Sequence, residues 1–496
     1  MNLSRRELLG QGLASLALGS SGCDVARDIA RAFDKSDLPE RFETATTETV
    51  DDDVHFLSRV TMGPRPGDLE VVRSMGRAAY LREQLSTSLD PGMRWRLRAD
   101  NADVMHMPPD LLFELAPEPI EHQLTLHAVA SAVFSERQLH EVMVETLSDH
   151  FHIALAKSDC RHLLPADRRD VVRAHALGNF RDLLRASILS PAMLVYLDGR
   201  ENSVEAVSSA AGGAVGGVAP NENHARELLE LHTLGVHGGY TQADVKETAR
   251  CLTGWVVDRQ WRPGSVEFVP ARHDDGEKVV LGKVIAAGGG AADIDRLLDL
   301  LMDHPSTATH VATRLAKTFV SEDPPSSLVR DAAATFQSSR GELSETVRAI
   351  VESDAFMGSK RTKVKRPFRW IVSTLRALGV TGPIEPATID YLTRMGHRPY
   401  GWPTPDGYPS SGLAYVASLM ARFQYVNALV HGGLKRTPVP AKELARAVRG
   451  DETSGLLAHL FGRRPSPHEL AVVSETRTKP EDVLALGLSS PAFQRF

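Results

Sequence analysis

Cysteine is scarce in this chain of 496 residues: Cys23, Cys160 and Cys251 are all there is, and none belongs to a C-x-x-C pair. That argues against a structural zinc site built on thiolates. Spacing alone cannot place Cys160 and Cys251 within bridging distance, so they read as two buried free thiols. Also missing are G-x-S-x-G, H-E-x-x-H and a dinucleotide fingerprint with a following acidic residue, which takes weight from the common hydrolase and dehydrogenase classes. Basic residues are not in surplus. Lys and Arg number 57 against 63 Asp and Glu, a net charge of −6, which argues against nonspecific nucleic-acid binding. The glycine-rich stretch Ala210 to Val218 has no lysine and no G-K-[ST], so it reads as a surface linker or a flap rather than a phosphate loop.

What the N-terminus does have is an address. Ser4-Arg5-Arg6-Glu7-Leu8-Leu9 precedes the weakly apolar run Leu13 to Gly19, too short to span a bilayer. Residues 1–23 are expected to be a twin-arginine-type signal peptide, read by the twin-arginine export machinery and delivering the protein to the periplasm or cell surface. Ser20-Ser21-Gly22-Cys23 offers a lipoprotein processing site, so a lipid on Cys23 is the one membrane attachment expected. Residues 24–50 read as a flexible tether. No clear interdomain linker appears after residue 50, and residues 51–496 are expected to form one helical domain that ends in short helices from about residue 437.

Periodicity makes the fold class mainly α, a multi-helix globular body with a small inserted β-ribbon around residues 255–282. Strong helices are expected near 66–87, 168–188, 292–302, 305–319, 340–352, 363–378 and 411–430. Ser135-Glu136-Arg137-Gln138 has capping-box spacing, and Thr241-Gln242-Ala243-Asp244 is a close relative of that box. Strand signal is confined to Trp255–Gln260, Val266–Val269 and Lys278–Leu281, with Asp275-Gly276 as a tight turn between the last two.

The densest chemistry lies in Asn221 to Gly235. Asn221 is a natural N-cap after Pro220, and His224, Glu227, Leu228 and Leu231 share an i, i+3, i+4, i+7 face that should point inward. A buried carboxylate must meet a cation, a metal or several donors, or else be protonated. Asn223, Glu227 and Glu230 form a strip suited to a divalent cation or to a general base beside a substrate-orienting amide. Glu222, Arg226 and Glu230 equally suit a plain salt-bridge ladder. On the ribbon, His273-Asp274 beside Lys278 supplies an acid/base pair and an anion-binding cation. The candidate catalytic residues are therefore Glu227, Glu230, His273 and Asp274, and the candidate substrate-binding residues Asn221, Asn223, Arg226 and Lys278, with Glu227 and His273 expected near one another.

Three further features have plainer readings. His150 sits on the apolar stripe of Met143, Leu147 and Ala154 and reads as a core histidine. Beside it Glu141, Glu145 and Asp149 line up at four-residue spacing, a column that wants solvent or a neutralising cation. Lys360-Arg361-Thr362-Lys363-Val364-Lys365-Arg366, the one dense basic run, reads as a solvated face or a grip for an acidic glycan or phospholipid headgroup.

Asn221 to Gly235, followed by Gly239-Tyr240-Thr241, Asp244-Val245 and Thr253-Gly254-Trp255, resembles the core signature of the bacterial family called domain of unknown function 1800. His55-Phe56-Leu57-Ser58-Arg59, His150-Phe151, Tyr196-Leu197-Asp198, His273-Asp274 and Lys365-Arg366-Pro367 agree with it, so the resemblance covers about residues 51–496. Where the family pattern has a tryptophan-rich segment near the C-terminus, this chain has Tyr400 to Pro409, with Trp402 alone. The family name implies no activity. The compartment leads to an expectation of acid/base or metal-assisted chemistry on an envelope or extracellular polymer, with a divalent metal as the candidate cofactor. The rival is a noncatalytic binding or assembly factor acting on another exported protein, its polar signature a buried network that specifies the fold. Neither reading involves nucleic acid.

Overall fold

Several helix starts follow the capping chemistry of the sequence. Asp51 accepts from the N–H groups of Asp53 and Val54 to open α1 (Asp52–Val60). The other site-forming helices are α2 (Gln138–His150), α3 (Pro191–Tyr196), α4 (Glu222–Glu227, continued by a π-helical turn over Leu228–Thr233), α5 (Gln242–Cys251), α6 (Asp293–Asp303), α7 (Pro305–Phe319), α8 (Pro367–Ala377) and α9 (Leu419–Val430). A computed structural model describes residues 38–86, 103–203, 220–258, 262–476 and 479–496. The twin-arginine segment, Cys23 and the Ala210 to Val218 stretch lie outside those residues.

The centre of the molecule is α8, every residue of which is buried. A helix buried all round needs a partner for any charge it carries. Its two inward arginines find them mostly among backbone carbonyls, Arg376 also meeting the Asp68 carboxylate at 3.2 Å. Arg376 donates to Gly63 O at 2.5 Å and Val133 O at 2.8 Å, and Arg369 to Ser58 O at 3.0 Å and to Thr61 O.

The expected fold class holds, with changes of detail. The expected 66–87 helix is two, Asp68–Met75 and Arg77–Leu85, broken at Gly76 with φ +81°. The expected 363–378 helix starts only at Pro367, because the ring holds Arg366 extended, at φ −63° and ψ 156°. Ser135 to Gln138 forms no capping box. Ser135 ends the preceding helix instead, and Gln138 turns back to donate to Ser135 O at 2.7 Å. The Thr241–Asp244 box is present in full. Cys160 and Cys251 are free and buried.

The ribbon is two ribbons: β1 (Trp255–Val257) pairs with β2 (Val266–Phe268), and β3 (Lys278–Val280) with β4 (Lys283–Ile285), both antiparallel. The second hairpin turns at Leu281-Gly282, both at positive φ (52° and 72°) as a two-residue turn requires. Asp275-Gly276 is therefore no hairpin turn. Within the expected tether, residues 38–50 pack on the body: Phe42 is fully buried, and its N–H donates to Ala447 O at 2.9 Å.

Candidate functional site

The signature amides are stitches. Asn221 caps α4 by accepting from Asn223 N–H at 2.9 Å and donates to Asp198 O at 3.0 Å, while Asn223 donates to Leu197 O at 3.1 Å. Both thus tie α4 to the carbonyls that α3 leaves unpaired at its end. Arg226 meets Glu222 at 3.1 Å and Gln242 at 3.0 Å on the surface, one rung of the expected ladder.

The π-turn alters the expected inward face. Leu234 N–H reaches back five residues to Leu229 O at 2.8 Å, and the Thr233 hydroxyl donates to Leu228 O at 2.7 Å. One extra residue in the turn rotates the downstream side chains by about 100° relative to an α-helix. The buried set is consequently His224, Ala225, Leu228, Leu229, His232 and Thr233, and Leu231 and Glu227 sit half-buried.

Glu227 has no hydrogen-bond partner among the described residues. Its carboxyl is pushed above the ordinary carboxylate range, first by burial, then by Glu230, and also by Asp406 on the loop before α9. Glu230 accepts from the Tyr240 hydroxyl at 2.9 Å. Asp406 is held by the Thr404 hydroxyl at 2.5 Å and the Trp402 indole at 3.2 Å, so the single tryptophan of that loop sets the orientation of an acid.

His273 and Lys278 belong to a different and closed arrangement. Asp293, wholly buried at the start of α6, takes Lys278 Nζ at 2.5 Å and His273 Nε2 at 3.3 Å, with Arg296 at 3.2 Å on its other oxygen. The Nδ1 atom of His273 is engaged with the carbonyl and hydroxyl of Thr253. Asp274 receives two arms of Arg250, at 2.7 and 3.0 Å, and Gly276 N–H at 3.0 Å. The donors and acceptors of His273, Asp274 and Lys278 are engaged in fastening the ribbons to α5 and α6. No hydrogen bond or ion pair joins Glu227 to His273.

The open chemistry lies where α2, α7, α8 and the loop before α9 converge on a cavity of about 390 Å³. From α7, His310, Thr313, Arg314, Lys317 and Thr318 recur at i, i+3, i+4, i+7, i+8 and present one polar face to it. Glu145 and Asp149 enter from α2, and Lys363 and Arg366 from the basic run. The acidic column and the basic run, each read as a solvated face, meet there: Arg366 reaches Glu145 at 2.7 Å and Asp149 at 2.6 Å. Glu141, a turn earlier, is buried against both arms of Arg173 at 2.7 and 2.8 Å. Arginine is thus the cation the column wanted. Gly407 permits the loop to close on α2, since a Cβ there would stand 2.2 Å from Asp149 O.

Five cationic side chains line this cavity against three carboxylates. Arg366 satisfies two of those carboxylates by itself. Arg314 donates to Asp149 O at 3.1 Å and Lys363 to Lys317 O, but neither they nor Lys317 has a carboxylate within ion-pair distance. Burial, reinforced by Arg59, Arg366 and Arg369, brings the Lys363 amine down to about 7. Arg314 is lowered too, by burial. The signature helix reaches this wall through His310, whose Nε2 meets Leu231 O at 2.9 Å, and His150 is a core residue bonded to His232 O at 2.9 Å. Among the described residues no group of three or more His, Cys, Asp or Glu could hold a metal ion.

Reading the sequence missed the polar face of α7. Its signal was present in His310, Arg314 and Lys317 at i, i+4, i+7 on a helix otherwise apolar on one side. A family model described as "Protein of unknown function (DUF1800)" matches residues 55–495. No curated protein and no solved structure matches.

Proposed function

The chain belongs to the DUF1800 family, and from that premise we propose that it binds an anionic ligand in the cavity between α2, α7 and α8. The observation that carries this is the group Arg314, Lys317 and Lys363, three basic side chains lining the cavity with no carboxylate within ion-pair distance among the described residues. A partly desolvated cation without a counter-ion is costly, and a bound phosphate, sulfate or carboxylate supplies what the fold withholds. Titration calorimetry of the purified mature chain with inorganic sulfate tests it. Arg314→Gln with Lys317→Gln should weaken binding at least tenfold; undiminished binding by that variant, or none by the parent, would rule the reading out.

A second reading is favoured by Glu227. A half-buried carboxyl raised above its usual range and free of protein partners suits proton transfer to a ligand held beside it, giving acid/base chemistry on an acidic envelope or extracellular polymer. Export by the twin-arginine route belongs to the same proposal and rests on Arg5-Arg6. A receptor that reads guanidinium geometry should reject Arg5→Lys with Arg6→Lys, so unchanged periplasmic abundance of that variant would count against export by this route.

A further inference from the structure

The cavity opens beside an apolar surface that is exposed among the described residues. Leu413, Val416, Leu419, Met420 and Phe423 recur at i, i+3, i+6, i+7, i+10 along the 3₁₀ turn Gly412–Ser418 and α9, and are 63, 54, 52, 66 and 49% exposed. Scattered exposed leucines are ordinary; five large apolar side chains on one helical face are a patch. From Gly412 to Leu434 the one residue with a permanent charge is Arg422, which is buried and spends its guanidinium on Gln494, Lys365 O and Ser418. The face is thus apolar without a charged interruption.

Its position relative to the cations is the second observation. Pro409 and Ser410 line the cavity, and Leu413 lies three residues after Ser410. Gly412 lies flat on Val364, another lining residue, so closely that a Cβ would stand 2.5 Å from Val364 Cβ. The cation-lined cavity and the apolar face therefore adjoin at Ser410 to Leu413 and Val364.

We propose that this region docks on an anionic lipid bilayer, the apolar face entering the headgroup and acyl boundary while Arg314, Lys317 and Lys363 take a lipid phosphate. The inference rests on the anion-binding reading and names its ligand. Charge complementarity selects the occupant. Two copies joined face to face through this patch would bring two cation-lined cavities together, and like charges across an interface oppose association. An anionic lipid surface presents the opposite sign beside an apolar interior, the combination that holds interfacial helices. Among the described residues no helix is long and apolar enough to cross a membrane, so the attachment is peripheral.

Flotation of the mature chain with vesicles of phosphatidylglycerol and phosphatidylcholine, against phosphatidylcholine alone, tests the proposal beside sulfate titration of the same samples. The parent should float with the anionic vesicles only. Leu419→Ser with Met420→Ser and Phe423→Ser, all exposed positions, should lose at least tenfold in vesicle affinity while keeping the parent's sulfate affinity and unfolding midpoint. Arg314→Gln with Lys317→Gln should lose both. A parent that binds sulfate but neither vesicle leaves the cavity reading standing and overturns this one, as does an apolar variant that floats like the parent. A parent that is dimeric by size exclusion and made monomeric by the apolar substitutions would assign the face to a second copy and overturn the proposal.

Discussion

At the scale of single residues, Lys363 and Glu227 are two groups whose charged forms the fold opposes. Lys363 titrates near 7 because burial and three arginines disfavour its charged form. A bound anion favours that form, so sulfate binding should be strongest below pH 7 and weaken as pH rises through 7 and the amine loses its proton. Calorimetry between pH 6 and 8.5 should show this decline, together with proton uptake on binding at pH 7.5. Lys363→Arg, permanently charged, should flatten the profile; an unchanged slope in that variant would assign the titration to another group. Glu227 has no hydrogen bond to lose and stands in the field of Glu230. Glu227→Gln should leave the unfolding free energy within about 0.5 kcal/mol of the parent, since the repulsion from Glu230 and the attraction to Arg226 are removed together. A loss of several kcal/mol would instead show that the carboxylate has a structural partner.

At the scale of elements, two buried charged assemblies do opposite work. Asp293 at the start of α6 closes the ribbons over a fully buried lysine, with no surface left to offer a ligand. Asp293→Asn keeps the shape but strands Lys278 as an uncompensated buried charge, which should cost about 3–5 kcal/mol. Urea unfolding measures it, and a change below about 1 kcal/mol would show that the Lys278–Asp293 pair does not hold the ribbons in place. Arg366, by contrast, pairs with Glu145 and Asp149 at a wall that still faces space, so the same chemistry there leaves a cavity. The difference arises from the adjoining elements. α6 seals its acid from every side, whereas Gly407 and Pro409 bring a loop, not a helix, across α2.

At the scale of the whole molecule, acid should weaken the fold through its histidines. His224 and His232 are buried with neither ring nitrogen partnered, and burial lowers them to about 4 and about 3 from an ordinary 6.5. Below pH 6.5 the unfolded chain takes up protons that the folded one refuses. Stability is therefore fully present above 6.5 and falls as pH drops toward 4, by roughly 3 kcal/mol or more for each ring. Urea unfolding between pH 6.5 and 5, above the carboxylate range, should report a slope rising toward the uptake of at least two protons. A flat profile would mean that these imidazoles are already charged or hydrated in the folded state.

Local chemistry was readable in the chain: the helical class, the Asn221 and Thr241 caps, the two free thiols and the core place of His150 depend on near neighbours and on period, which are properties of sequence. Partnership was not. Glu145 and Arg366 are 221 residues apart, Arg314 and Asp149 165, and nothing local tells a wet acidic column from one clasped by a distant arginine. Nor could α-helical spacing foresee the π-turn that shifts the inward face of the signature helix, because that extra residue shows only in the bonds Leu234 N–H to Leu229 O and Thr233 hydroxyl to Leu228 O. Short-range capping and periodicity decided which segments are helices; long-range burial decided which of their charges are sealed, which are paired across the molecule, and which stay open to a ligand.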